Sequence, residues 1–204
     1  MKRDSKRGDL RKRLRALRMQ LPPRERAMAA AALAAMLEQL PEFLVDAHIA
    51  GYWAVRDEMP LHAAFASLRS RGQSYCLPLL TQSDTLQFAP WMPGAPLRNN
   101  RFGIPEPDVP AVARLAPQIL DVVLVPLVGF DRRGSRLGSG GGWYDRSFAY
   151  LRDVPRPARP ILVGIGYHFQ EVEKLDAQPW DIPMDFIATD RELIACTVTD
   201  AMTP

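Results

Sequence analysis

The chain has 204 residues, 47% of them hydrophobic and 24% charged, with only two cysteines, Cys76 and Cys196. This composition suits one soluble globular domain with a sizeable core, and the two isolated cysteines argue against a disulfide framework or a cysteine-built zinc site. No apolar run reaches membrane-span length and the N-terminus lacks a signal-peptide core, so a cytoplasmic protein with reduced thiols is expected.

The net charge of +3 is unevenly spread. Residues 1–26 hold 11 of the 26 Lys and Arg but only 3 of the 23 Asp and Glu, so the remainder is acidic. A basic arm of this kind suits nucleic acid, a membrane surface or a phosphorylated small molecule. Residues 5–19 read as an amphipathic helix, with Leu10, Leu14, Leu17 and Met19 near one stripe among arginines. Pro22 and Pro23 break it. An alanine-rich helix follows from Arg24 to Leu40, and Pro41 marks its end.

Ala47 to Val55 is a strand candidate leading into Arg56, Asp57 and Glu58. Leu61 to Ser70 is a short helix, and Ser74–Leu80 and Thr85–Ala89 are strands. The stretch from Pro90 to Pro110, rich in Pro, Gly and Asn, reads as loop. Val122 to Val128 is an apolar run whose β-branched content suits a buried strand. Trp143 to Leu151 is helical, Ile161 to Tyr167 a buried strand, Gln170 to Lys174 a polar helix, and Phe186 to Thr189 a final strand. Strands alternating with helices predict a single-domain α/β/α sandwich around a mainly parallel sheet, without repeats or a linker. Ligands in such sheets gather at the carboxyl ends of the strands.

The stretch after Val128 carries the chemistry. It has glycines at 134, 138, 140, 141 and 142, then Trp143, Tyr144, Asp145 and Arg146. A strand, a glycine loop and a helix start suit phosphate, because backbone N–H groups approach an anion freely and the helix adds its own. Arg136 can grip phosphate oxygens bidentately, and Asp145 can hold Mg²⁺ beside them. The stretch is neither a Walker loop nor a dinucleotide fingerprint, since Trp143 and Tyr144 follow Gly142 where those motifs need other residues. The bland alternative is a glycine hairpin without a ligand. Asp185 is a second metal candidate, or a plain loop residue. Glu58 suits the N–H donors of an amino-pyrimidine, or is a solvated turn. Trp143, Tyr144, Trp53, Tyr52 and Phe102 can stack a planar ring or simply fill the core. No nucleophile–histidine arrangement suggests covalent hydrolysis.

The run P-L-V-G-F-D-R-R-G-S-R-L-G-S-G-G-G-W-Y-D-R from Pro126 to Arg146 resembles the signature of the 5-formyltetrahydrofolate cyclo-ligase family. Supporting matches follow in order: the basic N-terminal helix, Asp57–Glu58 after a strand, F-G-I-P-E-P at Phe102–Pro107, and W-D-I-P-M-D ending at Asp185. The resemblance implies a fold similar to the NagB/RpiA/CoA-transferase-like group. It implies a monomeric enzyme that uses ATP and Mg²⁺ to turn 5-formyltetrahydrofolate into 5,10-methenyltetrahydrofolate, with no membrane or nucleic-acid partner. By position, Arg7, Arg11, Arg136, Gly138, Ser139, Gly140, Gly141, Gly142, Trp143 and Tyr144 would bind ATP, with Arg136 and Tyr144 catalytic. Trp53, Glu58 and Phe102 would bind the folate, and Asp145 and Asp185 the metal. The chain departs from the family pattern at Arg7, where Lys is common, at Ser139 and Gly141, where some members carry Arg and Lys, and at Trp143, usually Tyr or Phe. Two other readings stand beside this one: a relative acting on a different substrate, and a nucleic-acid-binding module built on residues 1–26, whose affinity would fall steeply with salt.

Overall fold

A computed structural model describes residues 2–196. The chain opens with two helices, α1 (Lys2–Met19) and α2 (Pro23–Leu37). Pro23 starts α2 where a missing N–H costs nothing, and Ala30, Leu33 and Leu37 face inward. Pro41 does not merely end this helix. It opens a further short one, α3 (Pro41–Val45), for the same reason.

The sheet elements are β1 (His48–Ala50), β2 (Ser74–Leu80), β3 (Leu86–Pro90), β6 (Val122–Pro126), β9 (Ile161–Ile165), β10 (Phe186–Ala188) and β11 (Leu193–Ala195). They form one seven-stranded sheet in the order β11-β10-β9-β6-β1-β2-β3. The five central strands are parallel, and antiparallel β3 and β11 close the two edges. The expectation of a mainly parallel sheet holds; β11 was not anticipated. Helix α4 (His62–Ser70) crosses from β1 to β2.

Both faces of the sheet are covered, which is why its middle strands are apolar throughout rather than alternating. Val122 and Leu124 of β6 join Ile49, Val163, Leu33, Leu37, Phe43 and Leu68 on the face under α2, α3 and α4. Val123 and Val125 join Leu162, Ile187, Phe148 and Leu151 on the other. Among the described residues no helix is long and apolar enough to cross a membrane.

Several local expectations need correction. The strand candidate over 47–55 keeps ladder pairing only through Ala50; Gly51 gives one more hydrogen bond to Cys76, and the backbone then leaves the sheet. The stretch 90–110 is not all loop. It contains a two-stranded ribbon, β4 (Leu97–Asn99) and β5 (Pro105–Pro107), whose prolines occupy a strand that no third strand extends. Residues 170–174 form no helix; a 3-10 turn at His168–Gln170 is followed by irregular chain, because buried Gln170 spends its side chain on the backbone of Tyr167, Leu127 and Val128.

Candidate active site

The glycine stretch leaves the carboxyl end of β6 and first makes a hairpin, β7 (Gly129–Phe130) with β8 (Arg136–Leu137). Asp131, fully buried, shapes the turn. Its carboxylate accepts from the backbone N–H groups of Arg133, Ser135 and Leu175 at 2.9–3.1 Å. Gly134 at the tip has φ +86, and a Cβ there would lie 2.5 Å from the Met184 carbonyl. The hairpin was read as loop because two-residue strands have no periodicity to detect.

Arg136 emerges buried from this hairpin. Its Nη2 donates to Asp145 Oδ1 at 2.6 Å, and its guanidinium lies 6.0 Å from the Tyr144 ring centroid. Its Nε is buried without an acceptor. Asp145 Oδ1 also accepts from the Ile182 N–H at 3.2 Å. Thus three residues picked from sequence, Arg136, Tyr144 and Asp145, meet in one place. Gly140, Gly141, Gly142 and Asp145, with Arg146, Arg152 and Trp180, line a cavity of about 450 Å³.

The helix start is shorter than expected. Helix α5 covers only Trp143–Ser147, and a 3-10 turn at Ala149–Leu151 follows. Gly142 precedes it at φ +66, where a side chain would be strained. So short a helix contributes little dipole, and the anion-binding capacity rests on Arg136 and the loop backbone instead.

Helix α1 fastens the loop. Arg11 Nε donates to the Gly138 carbonyl at 2.9 Å and Arg15 Nη2 to the Ser139 carbonyl at 3.1 Å. Arg7 is turned elsewhere, to the Asp176 carbonyl and to Asp181. Arg18 is almost fully buried and joins the Leu127 carbonyl to the Arg56 carbonyl. Spacings of four, four and three put these arginines on one helix face. Composition made this arm a surface for an external anion; the structure turns much of its charge inward onto carbonyls.

Glu58 lies on the turn that Arg18 holds. Arg56 and Asp57 both have positive φ, at 50 and 62, an uncommon backbone for such residues. Asp57 pairs with Arg26, and Glu58 Oε2 accepts from the Val55 N–H at 3.1 Å. Burial raises the Glu58 carboxyl above its ordinary range, while the Val55 N–H, Arg18, Arg56 and Arg15 oppose the rise. Burial likewise pushes the Tyr144 hydroxyl well up, with Glu58 adding to the rise and Arg136 opposing it. Tyr144 therefore feels both the Glu58 carboxylate and the Arg136 guanidinium, with opposite effects. Phe102, more than half exposed, meets Trp143 edge to face at 6.1 Å, and Arg101 stacks on both rings. Buried Glu106 holds this loop by accepting from the Leu80 N–H and the Asn100 side chain. Trp53 meets Trp91 edge to face, away from the glycine loop.

Asp185 does not present an open carboxylate. It sits at the amino end of β10, away from the carboxyl ends where the loops gather. Both of its oxygens accept from Arg156, and one also accepts from the Leu162 N–H. Burial raises its pKa and those donors oppose the rise. Among the described residues no three His, Cys, Asp or Glu side chains cluster to hold a metal. Asp145 alone still fits Mg²⁺ delivered on a nucleotide, since such a site needs one or two carboxylates beside the phosphates. Sequence reading missed Arg18, Asp131, Arg156 and Gln170. Each sends a buried side chain to a partner tens of residues away, Arg156 to the Asp185 carboxylate and the others to backbone, and nothing local marks it.

Comparison with known proteins converges on one family. The profile of the 5-formyltetrahydrofolate cyclo-ligase family matches residues 3–190. The chain is 32% identical over 181 residues to the 5-formyltetrahydrofolate cyclo-ligase of Haemophilus influenzae, covering 88% of this chain and 95% of that one. It is 33% identical over 183 residues to that of Escherichia coli K12, covering 88% and 96%. Its fold is similar to the Aquifex aeolicus 5,10-methenyltetrahydrofolate synthetase, with TM-score 0.78, 29% identity and coverage of 97% and 95%. It is also similar to the Mycoplasma pneumoniae 5,10-methenyltetrahydrofolate synthetase, with TM-score 0.69, 26% identity and coverage of 91% and 99%. With Arg136, Tyr144 and Asp145 of the signature brought together and the match running along nearly all the chain, this protein belongs to the 5-formyltetrahydrofolate cyclo-ligase family.

Proposed function

We propose that this enzyme uses Mg–ATP to close 5-formyltetrahydrofolate irreversibly to 5,10-methenyltetrahydrofolate, releasing ADP and phosphate. The observation that carries this reading is the meeting of Arg136, Tyr144 and Asp145 where the glycine stretch ends, Arg136 donating to Asp145 at 2.6 Å with its guanidinium 6.0 Å from the Tyr144 ring centroid. Glu58, a carboxylate suited to an amino-pyrimidine, is near enough to raise the Tyr144 hydroxyl that Arg136 lowers, as a reaction joining a nucleotide to a pterin requires.

The formyl oxygen is a poor leaving group. It attacks the γ-phosphorus and ADP departs, leaving an N5-iminium phosphate. The N10 lone pair attacks the same carbon, the ring closes, and phosphate leaves with its C–O bond electrons while N10 loses its proton. The protein supplies positioning and charge neutralisation rather than a covalent intermediate. Arg136 grips the phosphates, and the backbone of residues 138–142 cradles them while Arg11 and Arg15 hold its carbonyls back. Tyr144, kept protonated by burial, donates toward the oxygen that receives the phosphoryl group. Glu58 holds the pterin, and Phe102 and Trp143 cover it. Mg²⁺ neutralises phosphate charge when bound, with Asp145 as its protein ligand. Asp185 is assigned instead to fixing the start of β10 through Arg156.

The test is to mix the protein with Mg–ATP and 5-formyltetrahydrofolate and follow the absorbance of the methenyl product, with Asp145→Ala alongside. Product that needs ATP, Mg²⁺ and Asp145 is the expected result. A folded protein that binds Mg–ATP yet forms no product would overturn the substrate.

A further inference from the structure

Residues Val55 to Glu58 close a four-residue turn, the Glu58 N–H donating to the Val55 carbonyl at 3.0 Å. Its two central residues, Arg56 and Asp57, have φ of 50 and 62. Gly is favoured at such angles because it has no Cβ to clash. An arginine and an aspartate keep them only where their surroundings impose them. The two helices that precede the sheet do so. Arg18 in the last turn of α1 donates to the Arg56 carbonyl at 2.7 Å, and Arg26 in the first turn of α2 pairs with the Asp57 carboxylate. Asp enters the left-handed region most readily when its carboxylate bonds locally. Asp57 makes no local bond of that kind among the described residues; its carboxylate goes to Arg26. Arg26 is itself fixed, with Nε donating to the Leu21 carbonyl at 2.9 Å and Nη2 to the Met19 carbonyl at 3.4 Å. Its guanidinium thus spans the connection between α1 and α2 on one side and the turn on the other.

The turn ends in Glu58. Its Oε2 accepts from the Val55 N–H, while Oε1 accepts from no group among the described residues. Oε1 is therefore the oxygen left to a ligand, and the two uncommon backbone angles before it set where it lies. We infer that Arg26 is a positioning residue for Glu58: by holding the Asp57 carboxylate it keeps the turn in the shape that sets where Glu58 meets the substrate. Arg26 touches neither substrate in this reading and acts only through Asp57. The inference rests on the proposed reaction for what Glu58 holds, but not for how the turn is held.

The variants are Arg26→Leu alone and combined with Asp57→Gly or Asp57→Ala. Thermal melting checks that each protein is folded. KM and kcat are measured for 5-formyltetrahydrofolate and for ATP, and amide hydrogen exchange at the Glu58 N–H reads the turn with no substrate present. Arg26→Leu is expected to raise KM for 5-formyltetrahydrofolate about tenfold, the scale of one uncommon backbone angle, with kcat and KM for ATP changed by less than about twofold. Exchange at Glu58 is expected to quicken by a similar factor. Adding Asp57→Gly, which suits a positive φ without a partner, is expected to recover most of both losses. Adding Asp57→Ala, which removes the same carboxylate but keeps a Cβ, is expected to recover little. An unchanged folate KM in Arg26→Leu would overturn the inference. So would equal recovery by Gly and Ala, which would trace the loss to an unpaired charge, and so would a parallel rise in KM for ATP, which would mark a general loosening of the fold. A wild type that forms no methenyl product, with exchange behaving as expected across the variants, would defeat the proposed reaction and still support the hold of Arg26 on the turn.

Discussion

Arg136 and Asp145 neutralise each other across 2.6 Å in the free protein. On the proposed reaction that pair must open, Arg136 turning to phosphate and Asp145 to the metal. Arg136→Ala is expected to lower kcat by about two to three orders of magnitude, the size of losing one aimed charge at a developing transition state. Arg136→Lys should recover only part, because a point charge cannot bridge two oxygens as the guanidinium fork does. Steady-state kinetics at saturating ATP checks both. Glu58 gives a pH signature. Its carboxyl is raised by burial, so the ionised form that holds the pterin is lost on acidification at a higher pH than an ordinary glutamate would show. The acid limb of kcat/KM should move further up in Arg18→Met, which removes an opposing charge, and disappear with most of the activity in Glu58→Gln. Linkage gives the stability counterpart. A raised carboxyl favours the fold below its unfolded value and loses that advantage as pH rises through the folded value. Glu58→Gln should therefore melt at the same temperature as the wild type in acid and above it at neutral pH.

Helix α1 works as a brace between the sheet and the loops at its carboxyl ends. Arg11 and Arg15 hold two carbonyls of the glycine stretch, and Arg18 ties the end of β6 to the Glu58 turn. Each bond from a charged donor to a carbonyl contributes on the order of 1–3 kcal/mol. Arg15→Ala is expected to raise KM for ATP several-fold and to change kcat less, because the loop backbone loses its set without losing Arg136; initial rates over an ATP series decide this. The helix itself was legible from Leu10, Leu14 and Leu17, and so was its excess of arginine. Where each arginine points was not, since a spacing of three or four says which residues share a face and nothing about what that face meets. The β4–β5 ribbon escaped notice for another reason. Its prolines and glycines are turn formers by local propensity, and only pairing across the loop makes three-residue strands of them.

Across the whole molecule the parallel sheet sets what each carboxylate can do. Asp145 follows the carboxyl end of β6 and lines a cavity; Asp185 starts β10 from the opposite end and is spent on Arg156. Breaking that buried pair by Asp185→Asn is expected to cost about 3–5 kcal/mol, because Arg156 is left buried and unpaired. Denaturant unfolding measures the loss. A stably folded Asp185→Asn variant that no longer binds Mg–ATP would return Asp185 to the metal. The sequence by itself determined the family, the main strands of a mostly parallel sheet, and the stretch from Val122 to Arg146 as the chemical centre, because a buried apolar run and a dense glycine signature are written in neighbouring residues. Only the tertiary structure decided which charged residues serve the site and which serve the fold. Asp145 and Asp185 look alike in sequence, and Arg11 and Arg156 do too. Their roles depend on burial and on partners tens of residues away, and those are fixed by how the sheet brings its strands together.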